Sequence, residues 1–279
     1  MKKIILIACL LGKASLGFLV AQSEVLGAKS AGLCHVAAAE DGWSLFNCAS
    51  QTAFLPSQWM FQCEEYGGTV SSLSAAMGFL HFFAGGNSCG AGWLHTAMGD
   101  FRRETVVATF AHGLSDRFAM ALQCQYLRLS YTDAYYGHLD GFSFALSVTW
   151  QPSEAWSWSF LWVNPAGLHY RFSRHEASMA SCLRMSARYA WSPSLRCYAE
   201  CEQNSWFPFR CAVGMEKDLS FVCLRIASVL PQFQFSAGLG MRFGAVVCDA
   251  ACMYHPDLGP TLALSLQQRL GLSAKTVVP

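Results

Sequence analysis

The chain carries 13 cysteines and eight histidines in 279 residues, enough ligands and nucleophiles for a metal or redox site if spacing gathered them. Cys197 with Cys201, and Cys248 with Cys252, share a C-x-x-x-C spacing. On a strand such residues stand about 13 Å apart, beyond the reach of a disulfide. Neither pair has the C-x-x-C spacing of zinc and redox sites. A cross-strand bridge between Cys201 and Cys211 comes within reach if their hairpin centres near Trp206. The simpler reading makes the cysteines small hydrophobes. The histidines (His35, His81, His95, His112, His138, His169, His175 and His255) form no H-x-x-x-H or H-E-x-x-H pattern, so zinc hydrolysis has no support. His169 and His175, with Arg171, Arg174 and Glu176, read as a solvated loop over 164–177. The glycine-rich run from Gly85 to Gly90 lacks the following Lys-Ser/Thr of a phosphate loop, and no G-x-S-x-G nucleophile elbow occurs. These residues assign no catalytic, cofactor-binding or metal-ligating position, and no cofactor is expected.

The elements that would position these groups show a period of two. From Pro231 to Phe243 the odd positions after the proline are Phe233, Phe235, Ala237, Leu239, Met241 and Phe243. The even ones are Gln232, Gln234, Ser236, Gly238, Gly240 and Arg242. Phe142, Phe144, Leu146, Val148 and Trp150 alternate with small residues, and Trp156, Trp158, Phe160 and Trp162 do the same. Alternation of this kind marks strands with one apolar face. After Tyr126 the phase slips to Leu127, Leu129 and Tyr131, which predicts a β-bulge there. Glycine, proline, serine and aspartate break the chain at regular intervals, as in successive hairpins. The predicted strands are 57–65, 70–82, 88–98, 103–113, 117–131, 140–151, 155–163, 178–191, 195–203, 208–216, 220–229, 231–243, 245–254 and 261–270. They make fourteen, an even number, as bacterial single-chain barrels require.

Composition then restricts where such a sheet lives. Apolar residues make up 53% and charged residues 13%, with a net charge of +1. That charge content is about half of the ordinary soluble share, and a near-neutral chain offers no basic surplus for phosphates, which argues against nucleic acid. Residues 1–21 read as a signal peptide: Lys2 and Lys3, an apolar Ile4–Leu11, and a cut after Ala21. The Leu6-Ile7-Ala8-Cys9 stretch is set aside as a lipoprotein box, since Leu10 and Leu11 continue the apolar run. No other stretch approaches the roughly 20 apolar residues of a membrane helix. An exported, very apolar β-chain is therefore either a large soluble sheet protein or a closed barrel in an outer membrane. One strand face carries Phe, Leu, Met, Trp and Val. The other carries Ser, Gly, Ala, Gln and charges able to pair: Arg184, Arg188, Arg196, Glu200, Glu202, Arg210, Glu216 and Arg225. Small, sparsely charged groups suit a narrow lumen and large apolar groups suit lipid, so the barrel is preferred. Trp59, Trp93, Trp150, Trp156, Trp191, Trp206, Tyr135, Tyr136, Tyr198 and Tyr254 fall mostly near strand ends, as in interfacial belts.

Gly27 to Leu55 differs, with small residues, the acidic pair Glu40-Asp41, and a helix expected at Gly42–Phe46 capped by Asp41. Gly27-Ala28, Ser30-Ala31-Gly32, Ala39-Glu40-Asp41, Trp43-Ser44-Leu45-Phe46-Asn47 and Ala49 resemble the start of PorV/PorQ outer-membrane barrels, within the FadL-like (long-chain fatty-acid transporter) superfamily. Tyr254-His255-Pro256-Asp257-Leu258-Gly259 resembles the last hairpin of that group. Relatives usually follow the asparagine with proline, whereas Cys48-Ala49 follows Asn47 here, and the chain runs past Leu270 to Pro279. The resemblance implies a fourteen-stranded barrel with an N-terminal plug, and either hydrophobic-solute transport or a part in type IX secretion.

The expectation is an all-β protein: a closed antiparallel transmembrane β-barrel of about fourteen strands with a short helical N-terminal plug. Its layout is signal peptide 1–21, plug segment 22–56, barrel 57–270 and tail 271–279. It is expected to be non-enzymatic and to reside in the outer membrane. Its expected partners are the lipid bilayer and either a hydrophobic small molecule or secretion-system proteins, with no nucleic acid. A barrel enzyme is the competing expectation, because outer-membrane hydrolases use Asp, His and Ser at the lumen mouth and Asp133, His138 and Asp140 have suitable types. A turn is the preferred reading of those three. A purely structural barrel and a soluble β-sandwich are also compatible with the alternation.

Overall fold

The computed structural model describes residues 25–67, 72–83, 85–131, 138–172, 175–256 and 259–271. The expected signal peptide therefore lies outside the described residues, as does most of the tail. The strands are β1 (Gln58–Tyr66), β2 (Ser72–Phe83), β3 (Asn87–Met98), β4 (Phe101–Ser115), β5 (Phe118–Tyr131), β6 (His138–Trp150), β7 (Trp156–Val163), β8 (His169–Phe172), β9 (His175–Ser178), β10 (Cys182–Ser192), β11 (Leu195–Asn204), β12 (Arg210–Leu219), β13 (Val222–Leu230), β14 (Gln234–Phe243), β15 (Val246–His255) and β16 (Gly259–Arg269).

Each strand of the wall pairs antiparallel with its neighbour, and β1 pairs with β16 from Gln58↔Arg269 to Tyr66↔Thr261. That seam closes a barrel of 14 strands, so the ring itself has no open edge. β8 and β9 stand outside the ring as a hairpin, joined to β6 at Asp140↔Arg171. The segment 164–177 is thus partly strand rather than all loop, and β10 starts at Cys182 rather than at 178. The ends of the barrel differ. One carries the long connection 164–181, while at the other no connection exceeds 151–155. Long loops at one end and short turns at the other is the ordinary asymmetry of outer-membrane barrels.

The outer face is apolar all round. Phe61, Leu73, Met77, Phe110, Leu122, Phe142, Phe160, Met185, Ile226, Phe235 and Leu264 are all exposed. The alternate positions, such as Ser74, Gln123, Ser147, Ser159, Ser236 and Ser265, are buried inside. The face assignment made from the period holds. The bulge expected near Tyr126 does not exist. β5 keeps continuous register there, with Tyr126 opposite Val106 and Phe142, and Leu127 opposite Thr105 and Gly141. The interruptions lie elsewhere, between Gly113 and Ser115 and between Ala190 and Ser192. The apolar phase changes because the inward face itself turns apolar: Leu127 and Leu129 point inward and pack with Phe101 and Met179.

The lumen as the candidate functional site

The described N-terminal residues 25–57 lie inside the barrel, most of them buried against its wall. Four short helical turns, Ala28–Ala31, Ala37–Ala39, Ser44–Asn47 and Ala49–Phe54, run through it. Alanines at 28, 31, 37, 38, 39, 49 and 53 let the backbone approach the wall closely. Gly32 shows how close: a Cβ there would sit 3.0 Å from the Cα of Gly238 on β14. The expected cap is displaced. The helix starts at Ser44 rather than Gly42, and the Trp43 amide donates to Asp41 Oδ1 at 2.9 Å. Asp41 thus holds the turn before the helix, not its first residue.

Polar anchors fix this segment around most of the wall. The Gly27 amide donates to Gln62 Oε1 on β1, Gly42 N to Gln267 Oε1 on β16 at 3.0 Å, and Cys34 N to Ser236 Oγ on β14 at 3.0 Å. Ala37 N donates to Glu200 Oε2 on β11 at 2.7 Å. On the opposite side Ser50 N donates to Ser147 Oγ at 2.9 Å, and Gln51 Nε2 to Ser159 Oγ at 3.0 Å. Gln123 Nε2 donates to the Leu45 carbonyl at 3.1 Å. Short helices leave many backbone groups unpaired, and glutamine, glutamate and serine side chains of the lumen face supply partners.

One side of the lumen is ionic. Arg225 Nε meets Glu216 Oε2 at 2.7 Å, and its Nη1 meets Asp249 Oδ1 at 2.6 Å. Arg196 also pairs with Glu216, and Lys29 Nζ approaches that carboxylate at 3.8 Å. Arg184 pairs with Glu202 at 2.9 Å, Arg210 with Glu202 at 3.2 Å, and Arg188 with Glu40 at 2.8 Å. All eight charges singled out from the sequence converge on this wall. Buried ions stand only with partners in place, and here Lys29 and Glu40 of the N-terminal segment complete the set.

The facing side is apolar. Leu26, Trp43, Leu45 and Phe46 pack on Met60, Ala76, Leu80, Leu94 and Val107. Glycines make room for them: a Cβ on Gly92 would overlap the Phe46 ring, and one on Gly78 would lie 2.8 Å from Met60 Cε and 3.0 Å from Leu45 Cδ2. At the long-loop end a second apolar set lines the interior, with Phe101, Leu127, Leu129 and Met179 flanked by Tyr131, Leu139 and Leu168.

Four groups of the segment titrate away from their ordinary values. Burial pushes the Asp41 carboxyl up to about 6, opposed by Lys29 and Arg225 and helped by Asp249. Burial lowers His35 to about 4, and Arg210 and Arg184 add to the effect while Glu202 opposes it. His35 Nδ1 donates to the Val25 carbonyl at 3.0 Å, so the ring is the neutral Nδ1–H form. Burial also raises the thiols of Cys34 and Cys48.

Of the three residues considered for a catalytic set, two lie among the described residues. Asp133 lies outside the described residues. His138 and Asp140 meet at 3.1 Å, but on the outer face of β6, where Asp140 also accepts from Arg128 Nε at 3.0 Å and Tyr126 Oη at 2.6 Å. His95, Glu104, Arg128 and Asp140 form one row of register partners across β3–β6. His169 is exposed in the hairpin. Among the described residues no three His, Cys, Asp or Glu side chains converge as metal ligands. Cys201 and Cys211 do meet, opposite one another on β11 and β12. The apolar interior at the long-loop end escaped sequence reading, although the phase slip at Leu127 was its signal.

No protein-family model and no curated protein matches the sequence. Solved structures do match in fold. The Ralstonia pickettii toluene transporter TbuX aligns at a TM-score of 0.66 and 9% identity, covering 90% of this chain and 100% of that one. The CymD monoaromatic hydrocarbon channel aligns at 0.69 and 9%, covering 89% and 98%. A Pseudomonas aeruginosa FadL homologue aligns at 0.61 and 11%, covering 89% and 99%. At such identities the likeness speaks for architecture alone, a closed antiparallel β-barrel shared with these chains.

Proposed function

We propose that this protein is a non-enzymatic outer-membrane channel for a small hydrophobic solute, with residues 25–57 as its lumen plug and residues 1–21 as its export signal. The observation that carries the reading is the apolar interior formed by Phe101, Leu127, Leu129 and Met179 at the long-loop end. A water-filled porin lines its lumen with polar groups, and an apolar lining at the mouth favours a solute that sheds water on entry. The fold likeness to toluene and monoaromatic hydrocarbon channels supports the same class of solute. The anchors of the plug are hydrogen bonds and ion pairs to side chains of the wall rather than strand pairing with it, so the plug can move without opening the barrel.

The experiment is uptake of radiolabelled toluene, and separately of oleate, by cells that lack their own hydrophobic-solute channels and express this chain. Uptake of either above the empty vector, reduced several-fold by Leu127→Gln with Leu129→Gln, is the expected result. Uptake unchanged by deletion of 27–55 would remove the plug from the path. The PorV/PorQ-like secretion role implied by the sequence resemblance predicts something else: no solute uptake, and co-purification with large secretion proteins.

A further inference from the structure

We propose that Cys201 and Cys211 form an intramolecular disulfide that staples the β11–β12 hairpin on the outer face of the barrel. The two are direct register partners, and their sulfurs lie 2.9 Å apart. Residues directly opposite on antiparallel strands have Cα atoms about 4.5–5.5 Å apart, inside the range of about 4.4–6.8 Å that a disulfide spans. No backbone movement is needed, only rotation of the two thiols. The arrangement is selective. Cys197 is opposite Met215, Cys248 opposite Met241 and Leu266, and Cys252 opposite Ala237 and Leu262. The C-x-x-x-C pairs within β11 and β15 stay unbridged, as strand geometry requires.

The step balances as thiol–disulfide exchange. Two S–H bonds break and one S–S bond forms. Two electrons and two protons pass to the disulfide of a dithiol oxidase, which leaves as a dithiol. Such oxidants act in the compartments through which exported proteins pass. The inference therefore rests on the export part of the proposed function and not on its transport part.

The placement gives the staple a role. On the inner face of the same hairpin Glu200, Glu202 and Arg210 form the ionic anchor that receives the Ala37 amide. A bridge between Cys201 and Cys211 would tie together the two strands whose inner face carries these charges. The loop between the two cysteines carries Trp206, which the Asn204 side chain already holds through the Trp206 amide at 2.9 Å.

The test is intact protein taken from membranes with immediate alkylation by N-ethylmaleimide and no reductant, then digested with trypsin. Cleavage after Arg196, Arg210 and Lys217 puts Cys201 in 197–210 and Cys211 in 211–217. The expected product is one species joining these peptides, with Cys197 alkylated, which collapses to two on reduction. Cys201→Ser leaves Cys211 alkylated, and Cys211→Ser leaves Cys201 alkylated. Recovery of both as alkylated thiols, or of either bridged to another cysteine, overturns the proposal. Fractionation of the same sample reports separately on the outer-membrane reading, and solute uptake on transport.

Discussion

Glu216 on β12 and Arg225 on β13 are register partners joined inside the lumen, with Arg225 Nε donating to Glu216 Oε2 at 2.7 Å. Arg225 is also the guanidinium that holds Asp249 on β15, so one side chain closes a network across β12 to β15. Removing one member of a buried pair costs about 3–5 kcal/mol, because the partner stays behind unpaired. Arg225→Met is expected to destabilise the folded barrel by about that much. The double variant Arg225→Met with Asp249→Asn should recover part of the loss. Urea unfolding in lipid vesicles, followed by tryptophan emission, measures both.

The lumen segment should dock with little net pH dependence between about 4 and 6, because two buried groups oppose each other. His35 has its folded value lowered, so the stability linked to it is complete above its ordinary 6.5 and is lost as pH falls toward about 4. Asp41 has its folded value raised, so its contribution is complete below its ordinary 3.8 and is lost as pH rises toward about 6. Each amounts to about 3 kcal/mol from its shift. Asp41→Asn should expose the His35 slope, with protection falling as pH drops from 6.5 to 4. His35→Gln should expose the opposite slope, with protection falling as pH rises from 3.8 to 6. Hydrogen exchange of the 26–54 amides, corrected for intrinsic rate, reads the effect. A steep slope of the wild type with flat variants would overturn the account.

The Phe46 ring and the wall at Gly92 occupy complementary space. Gly92→Ala should weaken docking by about 1–3 kcal/mol, as overpacking does. Phe46→Ala in the same chain should relieve the clash, so the two changes are not additive. Thermal unfolding in detergent of the four proteins of that cycle gives the coupling energy.

Orientation toward lipid has its own signature. Leu264 is 62% exposed at the middle of β16. Leu264→Arg is expected to cost about 2–4 kcal/mol, the penalty for a cation at bilayer mid-depth. Glu65→Arg, on the outer face near the long-loop end of β1, should cost about 0–1 kcal/mol. Equal costs at both positions in vesicle refolding would contradict the assigned depth.

The period of two determined the strands and their faces without any partner information. Phe235, Leu239 and Met241 point outward and Ser236 inward because successive side chains on a strand must take opposite sides, and the strand breaks followed from Gly, Pro and Asp. Only the tertiary structure decided what meets inside. Arg225 is 24 residues from Asp249, and Lys29 far more distant from Glu216, so closure and register bring them together rather than any local pattern. The same holds for Leu127 and Leu129. Along the chain their phase slip reads as a bulge, but packed against Met179 it is an apolar lining on an unbroken strand. Cys201 and Cys211 belong to both levels: spacing put the pair within reach, and register placed the two sulfurs opposite each other.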